Sequence, residues 1–207
     1  MNSYDVIIDS FEPDEPIFVD DIKKLFPEKS RPWIDKALKS MLDSNRIKRY
    51  DQGVYYIPRK TIFGDSKLNP NIVLTKRYIN DKNNIYGYTS GITLLNKLGL
   101  TTQMSNTITI VSNKESSRGR AITVGRQKAY LMKAPCEITN QNCNVLQLLE
   151  AIRILDTSKT DETESENLRQ FIKQNNITLA DVSKYCEYFP DYVSKRILGG
   201  NVIGILA

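Results

Sequence analysis

The chain has 207 residues, 40% hydrophobic and 26% charged, a balance ordinary for a globular protein and sufficient for one large domain or two small ones. It contains no histidine, which excludes Ser-His and Cys-His catalysis and every His-ligated metal site, and its net charge of +5 leans toward anionic partners. No apolar run approaches the roughly 18 residues of a membrane span, and the acidic start "MNSYDVIIDSFEPDEP" does not read as a secretory signal, so a cytoplasmic location with no membrane partner is expected.

Tyr4, Ile7, Ile8 and Phe11 recur at helical spacing and predict a short first helix, ended by Pro13 and Pro16. "VDDIKKLF" predicts a second, with Ile22, Leu25 and Phe26 apolar and two aspartates near its N-terminus. After a turn at Pro27-Glu28-Lys29, Ser30 is placed to cap a third helix that tolerates Pro32 in its first turn. Ile34, Ala37, Leu38, Met41 and Leu42 then form one apolar stripe, with Arg31, Asp35, Lys36, Lys39, Ser40 and Asp43 opposite. "RIKRY" and "VYYIP" predict two strands joined through Asp51-Gln52-Gly53, a link in which Gly53 supplies a positive φ. Three helices and a hairpin in this order predict a winged helix-turn-helix over residues 1–62.

Residues 63–71, with Gly64, Asp65, Ser66, Asn69 and Pro70, read as a linker to a domain over 72–207. There "IVLTKRYI" predicts a helix, and "YGYTSGITLLNKLGL" a strand end, a Thr89-capped helix and a stop at Gly99. "NTITIVSN", "AITVG" and "AYLMKA" predict strands. From about residue 144 the chain turns helical, with Val145, Leu148, Leu149, Ile152 and Leu155 on one face. "DTSKTDETESEN" reads as a polar connector whose acids lead into a helix carrying Leu168, Phe171 and Ile172. Thr178 with Asp181 resembles a capping pair for a helix through Phe189, and a last helix stops at Gly199-Gly200 before the tail "NVIGILA". The expected fold class is α+β: a winged helix-turn-helix, then a larger α+β domain ending in an α-helical segment.

Charge follows this layout. Residues 1–28 carry a net −6, residues 29–60 a net +6, residues 61–155 a net +7 and residues 156–207 a net −2. In a winged helix-turn-helix the early, outward residues of the recognition helix reach base edges. Those are Ser30, Arg31, Trp33, Lys36, Lys39 and Ser40. The forked donors of Arg31 match a guanine edge, and Lys36 and Lys39 suit phosphates or guanine. Trp33 stands one residue before the apolar stripe, open either to packing at the helix edge or to a wedge against a thymine methyl. In the wing, Lys48, Arg49, Tyr50 and Gln52 surround the tip, with Arg59 and Lys60 at its base, a set suited to phosphate neutralisation. The partner implied is double-stranded DNA; the alternative is a winged helix that binds protein, its charges merely solvated.

A second basic cluster, "ESSRGRAITVGRQK", offers Arg118, Arg120, Arg126 and Lys128 either as an exposed turn or as a further nucleic-acid patch. No Walker-type lysine-serine pair follows it, so a nucleotide- or RNA-handling enzyme is the least favoured reading. Cys136, Cys143 and Cys186 cannot all pair and lack partners for a zinc shell, so reduced thiols and no metal are expected. Glu162, Glu164 and Glu166 read as a helix N-terminal set rather than catalytic carboxylates. No catalytic residue and no cofactor is expected.

Two stretches carry a family resemblance. "FVDDIKKLFP…IDKALKSMLDSNRIKRYDQGVYYIPR" and "YGYTSGITLLNKLGLTTQM" resemble the AbiEi-type antitoxins and their uncharacterised bacterial relatives over about residues 17–135. The matching elements are the helix-turn-helix, a wing carrying Ile47, Arg49, Gly53, Val54, Tyr55, Tyr56 and Pro58, and the Gly87 to Gln103 segment. The resemblance implies a transcriptional repressor of its own operon acting through inverted repeats. It also implies an antitoxin of an abortive-infection toxin-antitoxin pair, opposing a nucleotidyltransferase-like toxin without stable contact.

Overall fold

A computed structural model describes residues 3–155 and 160–199. The fold is mixed α+β and separates into two compact units, Met1–Lys76 with Val124–Arg126, and Arg77–Thr123 with Gln127–Ala207. No helix among the described residues is long and apolar enough to cross a membrane.

The first unit begins with α1 (Ser3–Asp9), β1 (Ile17–Phe18) and α2 (Val19–Leu25). Asp21 accepts the Phe18 N–H at 3.1 Å, so the N-terminus of α2 is closed by its own first turn. The turn that follows is tied by Lys23, whose ammonium donates to the carbonyls of Pro27 and Lys29 at 2.9 and 2.5 Å. Helix α3 (Arg31–Asp43) starts after Ser30, whose backbone is extended but whose hydroxyl makes no capping bond. It stops at Asn45, which takes φ +55° while the Arg46 N–H reaches back to the Met41 carbonyl at 3.0 Å. Two strands follow, β2 (Lys48–Asp51) and β3 (Val54–Tyr56), and the sheet order is β1-β3-β2, antiparallel throughout. Ile7, Ile17, Val19, Ile22, Ile34, Leu38, Met41 and Ile47 form its core. Each such side chain stabilises the unit by about 1.5–3 kcal/mol when buried.

The expected linker over 63–71 lies inside this unit instead. Residues 60–65 fold back as a second hairpin, β4 (Lys60–Thr61) with β5 (Gly64–Asp65), and α4 (Pro70–Leu74) starts from an Asn69 cap at 2.9 Å. The backbone continues from α4 through a π-helical turn, Thr75–Ile79.

The second unit holds a four-stranded sheet in the order β6-β7-β9-β8, made of β6 (Gly87–Ser90), β7 (Thr107–Ser112), β8 (Arg120–Val124) and β9 (Gln127–Lys133). β6 and β7 run antiparallel, while β9 returns between β7 and β8 and pairs with β7 in parallel. Gly87 is obligatory, because a Cβ there would stand 2.1 Å from the Tyr78 carbonyl oxygen. Helix α5 (Gly91–Lys97) begins after Ser90, one residue beyond the expected Thr89 cap, and Ser90 makes no side-chain capping bond because its hydroxyl donates to Glu150.

Helix α6 (Cys143–Ile154) is apolar around most of its circumference, and the fold places it centrally, packed on β6 and against α5 and two later helices. Its one buried acid, Glu150, is satisfied by the Ser90 hydroxyl and by Arg153 at 2.8 and 2.7 Å. Helix α7 (Glu162–Gln174) begins inside the expected connector: Asp161 accepts from Glu164 N–H at 2.7 Å and Glu164 returns the bond at 3.2 Å. Thr178 and Asp181 do form a capping box for α8 (Leu179–Cys186), which ends three residues before Phe189. In α9 (Asp191–Gly199), Arg196 donates to the carbonyls of Ile152, Arg153 and Leu155 at 2.9, 2.9 and 3.1 Å, closing the C-terminus of α6. Gly200 and the apolar tail lie outside the described residues.

Candidate nucleic-acid interface

Helix α3 turns Ile34, Ala37, Leu38 and Met41 into the core of the first unit, which leaves Ser30, Arg31, Asp35, Lys36, Lys39, Ser40 and Asp43 exposed. Lys36 and Lys39 stand there without a counter-ion among the described residues. Arg31 is held by Asp35 one turn on, Nε to carboxylate 3.1 and 3.3 Å, in a pair open to water on both sides. Such a pair is worth little, and a phosphate or a guanine edge can replace it.

Trp33 departs from the expected groove-facing set. It is half-buried and packs at a tilt against Phe26, ring centroids 5.4 Å apart and planes at 57°, with the Lys29 ammonium 5.4 Å over its ring. The indole closes the hydrophobic core at the start of α3 and is not free for a base.

The hairpin also differs from expectation. Side chains alternate across a strand, and the register pairs Lys48 with Tyr56 and Arg49 with Tyr55, so the two cations point to opposite faces. A bulge between Arg49 and Asp51 leaves Tyr50 without a partner across the ladder. Tyr50 is half-buried, and desolvation raises its pKa. Three further cations are engaged internally. Lys48 and Lys60 share the Asp65 carboxylate at 2.8 and 2.7 Å, and Arg59 lies 3.5 Å from Asp14. The Lys48 hydrogen bond, then that of Lys60, holds the Asp65 carboxyl below its ordinary range, and the same bond raises Lys48. Arg49 and Gln52 remain exposed; Arg49 donates only to the Asp51 carbonyl at 3.3 Å. Of the cations expected to meet DNA in α3 and the hairpin, Lys36, Lys39 and Arg49 are therefore the ones that stand outward with no carboxylate paired to them among the described residues, fewer than charge counting suggests.

The second basic cluster does not gather within one unit. Arg126 belongs to the first unit, beside Gly125 at φ +58°, whereas Arg118, Arg120 and Lys128 belong to the second. Arg120 binds Glu115 at 2.7 Å. The Ser117 hydroxyl and N–H also donate to Glu115, at 2.7 and 3.0 Å, and these bonds hold its carboxyl down at about 2. Arg120 is a structural brace, while Arg118 and Lys128 are exposed. Cys136, Cys143 and Cys186 are free thiols, and burial pushes Cys143 up to about 11. Among the described residues no three Cys, Asp or Glu side chains gather to hold a metal ion.

Two features of the structure leave little trace in the sequence. The Ser90-Glu150-Arg153 cluster, serine donating to a carboxylate clamped by a guanidinium, fastens β6 to α6. In the β4–β5 hairpin, Ile62 and Phe63 sit at the tip, 93% and 94% exposed. The adjacent "TIF" in "RKTIFGD" was the only available signal.

A family model matches residues 8–179, most of the chain. The chain belongs to DUF6088, a family of unknown function. That match reaches into both units of the DUF6088 protein, from within α1 to the first residue of α8. No curated protein matches the sequence.

Proposed function

We propose that the first unit is a winged helix-turn-helix that binds duplex DNA, and that the protein is a cytoplasmic transcriptional repressor. Lys36 and Lys39, on the solvent face of α3, carry this reading: two cations without counter-ions among the described residues, on the helix that follows the turn, with the opposite face committed to the core. The element order helix-helix-turn-helix-hairpin and the β1-β3-β2 pairing support it. Lysine and arginine at the helix surface meet phosphates, and Arg31 and Ser40 are exposed for base edges. The resemblance to the AbiEi-type antitoxins extends the reading to autoregulation through inverted repeats. In that reading the second unit opposes a nucleotidyltransferase-like toxin.

Gel retardation with the DNA upstream of the gene tests it. The wild-type protein is expected to bind, with an affinity that falls steeply as salt rises. Lys36→Glu with Lys39→Glu is expected to abolish the shift while circular dichroism stays unchanged. Binding by that variant equal to wild type sinks the proposal.

A second reading, a protein-binding winged helix, draws on the internal neutralisation of Lys48, Arg59 and Lys60. Co-purification of a neighbouring gene product with no DNA retardation would favour it.

A further inference from the structure

The β4–β5 hairpin is too firmly held, and its tip too apolar, to be an ordinary surface turn. Lys60 pairs with Asp65 and Thr61 with Gly64, so Ile62 and Phe63 are the two residues of the loop itself. The Thr61 hydroxyl donates to the Gly64 carbonyl at 2.7 Å and accepts the Phe63 N–H at 3.2 Å, while Gly64 takes the φ of +101° that closes the turn. At the base, Ser66 accepts the Arg59 N–H on its hydroxyl oxygen at 2.8 Å and donates the hydroxyl proton to Asp14. The Tyr56 hydroxyl donates to the Ser66 carbonyl at 3.0 Å, and Lys48 of β2 reaches Asp65 at 2.8 Å. The finger is thereby braced against the strands of the wing, within the first unit.

Its end carries two adjacent large apolar side chains with almost their whole surface in water. Burying either side chain against a partner would be favourable, and nothing within the unit uses that gain. What surrounds the finger says what the tip meets. Four cations, Lys48, Arg59, Lys60 and Lys67, stand at its base against two carboxylates, Asp14 and Asp65. Lys67 is exposed and has no partner among the described residues. An apolar wedge with a cationic collar fits a partner that is anionic along its rim and apolar within. A duplex has that chemistry: phosphates line the groove, and stacked bases lie between them.

We propose that the β4–β5 hairpin is a wedge that enters the minor groove of duplex DNA and sets Ile62 and Phe63 against a base step. The inference rests on the DNA-binding reading above and deepens it. A minor groove about 6 Å wide is too narrow for both strands of the hairpin, so only the Ile62 and Phe63 side chains at its tip enter, where isoleucine and phenylalanine partly unstack a step and kink the duplex. Pyrimidine-purine steps, which unstack at least cost, are the preferred target.

The test uses the full chain and 2-aminopurine-labelled duplexes from the region upstream of the gene, with bending followed by end-to-end energy transfer. Wild-type protein is expected to raise the fluorescence of one step and to shorten the end-to-end distance. Ile62→Ser with Phe63→Ser removes no internal contact, so its circular dichroism and melting should match wild type. That variant is expected to bind roughly tenfold more weakly and to lose both optical signals, while its remaining affinity still depends on Lys36 and Lys39. Equal binding by the variant, or wild-type binding without unstacking or bending, overturns the wedge and leaves the α3 reading standing. Failure of wild type to bind any duplex overturns both. Loss of a wild-type dimer, or of sedimentation with phosphatidylglycerol vesicles, as the sole effect of the variant would assign the tip to a second copy or a lipid surface and overturn the proposal.

Discussion

The outward face of α3 and the hairpin that follows it draw on the same residue types, yet their charges stand in different electrostatic states. On α3, Lys36 and Lys39 project from a helix whose other side is fixed by Ile34, Leu38 and Met41, and no carboxylate neutralises them among the described residues. On the hairpin side, Lys48, Lys60 and Arg59 are met by Asp65 and Asp14. A free cation interacts with phosphate at full strength. A paired one must first give up its carboxylate, so its net contribution is smaller. Charge counted along a sequence therefore overstates the hairpin more than the helix, where Arg31 alone of the expected cations is paired.

The largest expected effect follows directly. Lys36→Glu with Lys39→Glu should lower duplex affinity by on the order of 100-fold at low salt, since two phosphate contacts become two repulsions. Lys48→Glu with Lys60→Glu, the same formal change, should lower it much less. Fluorescence anisotropy on both variants gives the ranking; equal losses would mean that the Asp65 pairs open freely on binding and that the contrast has no functional weight.

Next in size is Asp65→Asn. It removes the carboxylate that Lys48 and Lys60 share and leaves both ammonium groups available. Affinity should rise about three- to tenfold, with the slope of log affinity against log salt steeper by about one for each of the two lysines that reaches a phosphate. An unchanged slope would show that neither lysine reaches a phosphate.

Periodicity carried the helices in the sequence because each commits one face to a core. The α3 stripe, the apolar α6 and the Thr178-Asp181 box could all be read from spacing. Short strands carry no such signal. β4 and β5 are two residues each, and Gly64, Asp65 and Ser66 suggest a linker in the sequence because turn residues look alike in either setting. Ion pairs were the other blind spot. Arg59 with Asp14 and Lys48 with Asp65 join residues far apart in the chain, so no local pattern could reveal which cations of the expected interface were already taken. Trp33 had two open readings, and the nearby Phe26 ring decides for packing.

The contrast between paired and free charge extends to pH. Glu115, held at about 2 by Ser117 and Arg120, has a folded value below its unfolded one of about 4.3, so its contribution to stability is fully present above that value. The contribution is lost as pH falls through the folded value. The melting-temperature gap between wild type and Glu115→Gln should thus be constant near neutrality and should close as pH is lowered from about 4.3 toward 2. A gap that persists unchanged at low pH would mean that the Ser117 bonds do not favour the ionised form.

The smallest effect tests whether exposure alone makes a pair weak. Arg31 and Asp35 are 63% and 56% exposed, one turn apart on α3. Such i, i+4 pairs contribute about 0.3–0.5 kcal/mol. Asp35→Ala should therefore change stability only within that range in urea unfolding, yet it removes a negative charge beside Lys36 and Lys39 and releases the Arg31 guanidinium. Duplex affinity should consequently rise, by less than for Asp65→Asn, because one cation is released rather than two. Arg31→Ala should show the same near-neutral stability with weaker binding. If Asp35→Ala instead weakens binding, the Asp35 carboxylate is orienting Arg31 toward its target and not merely neutralising it.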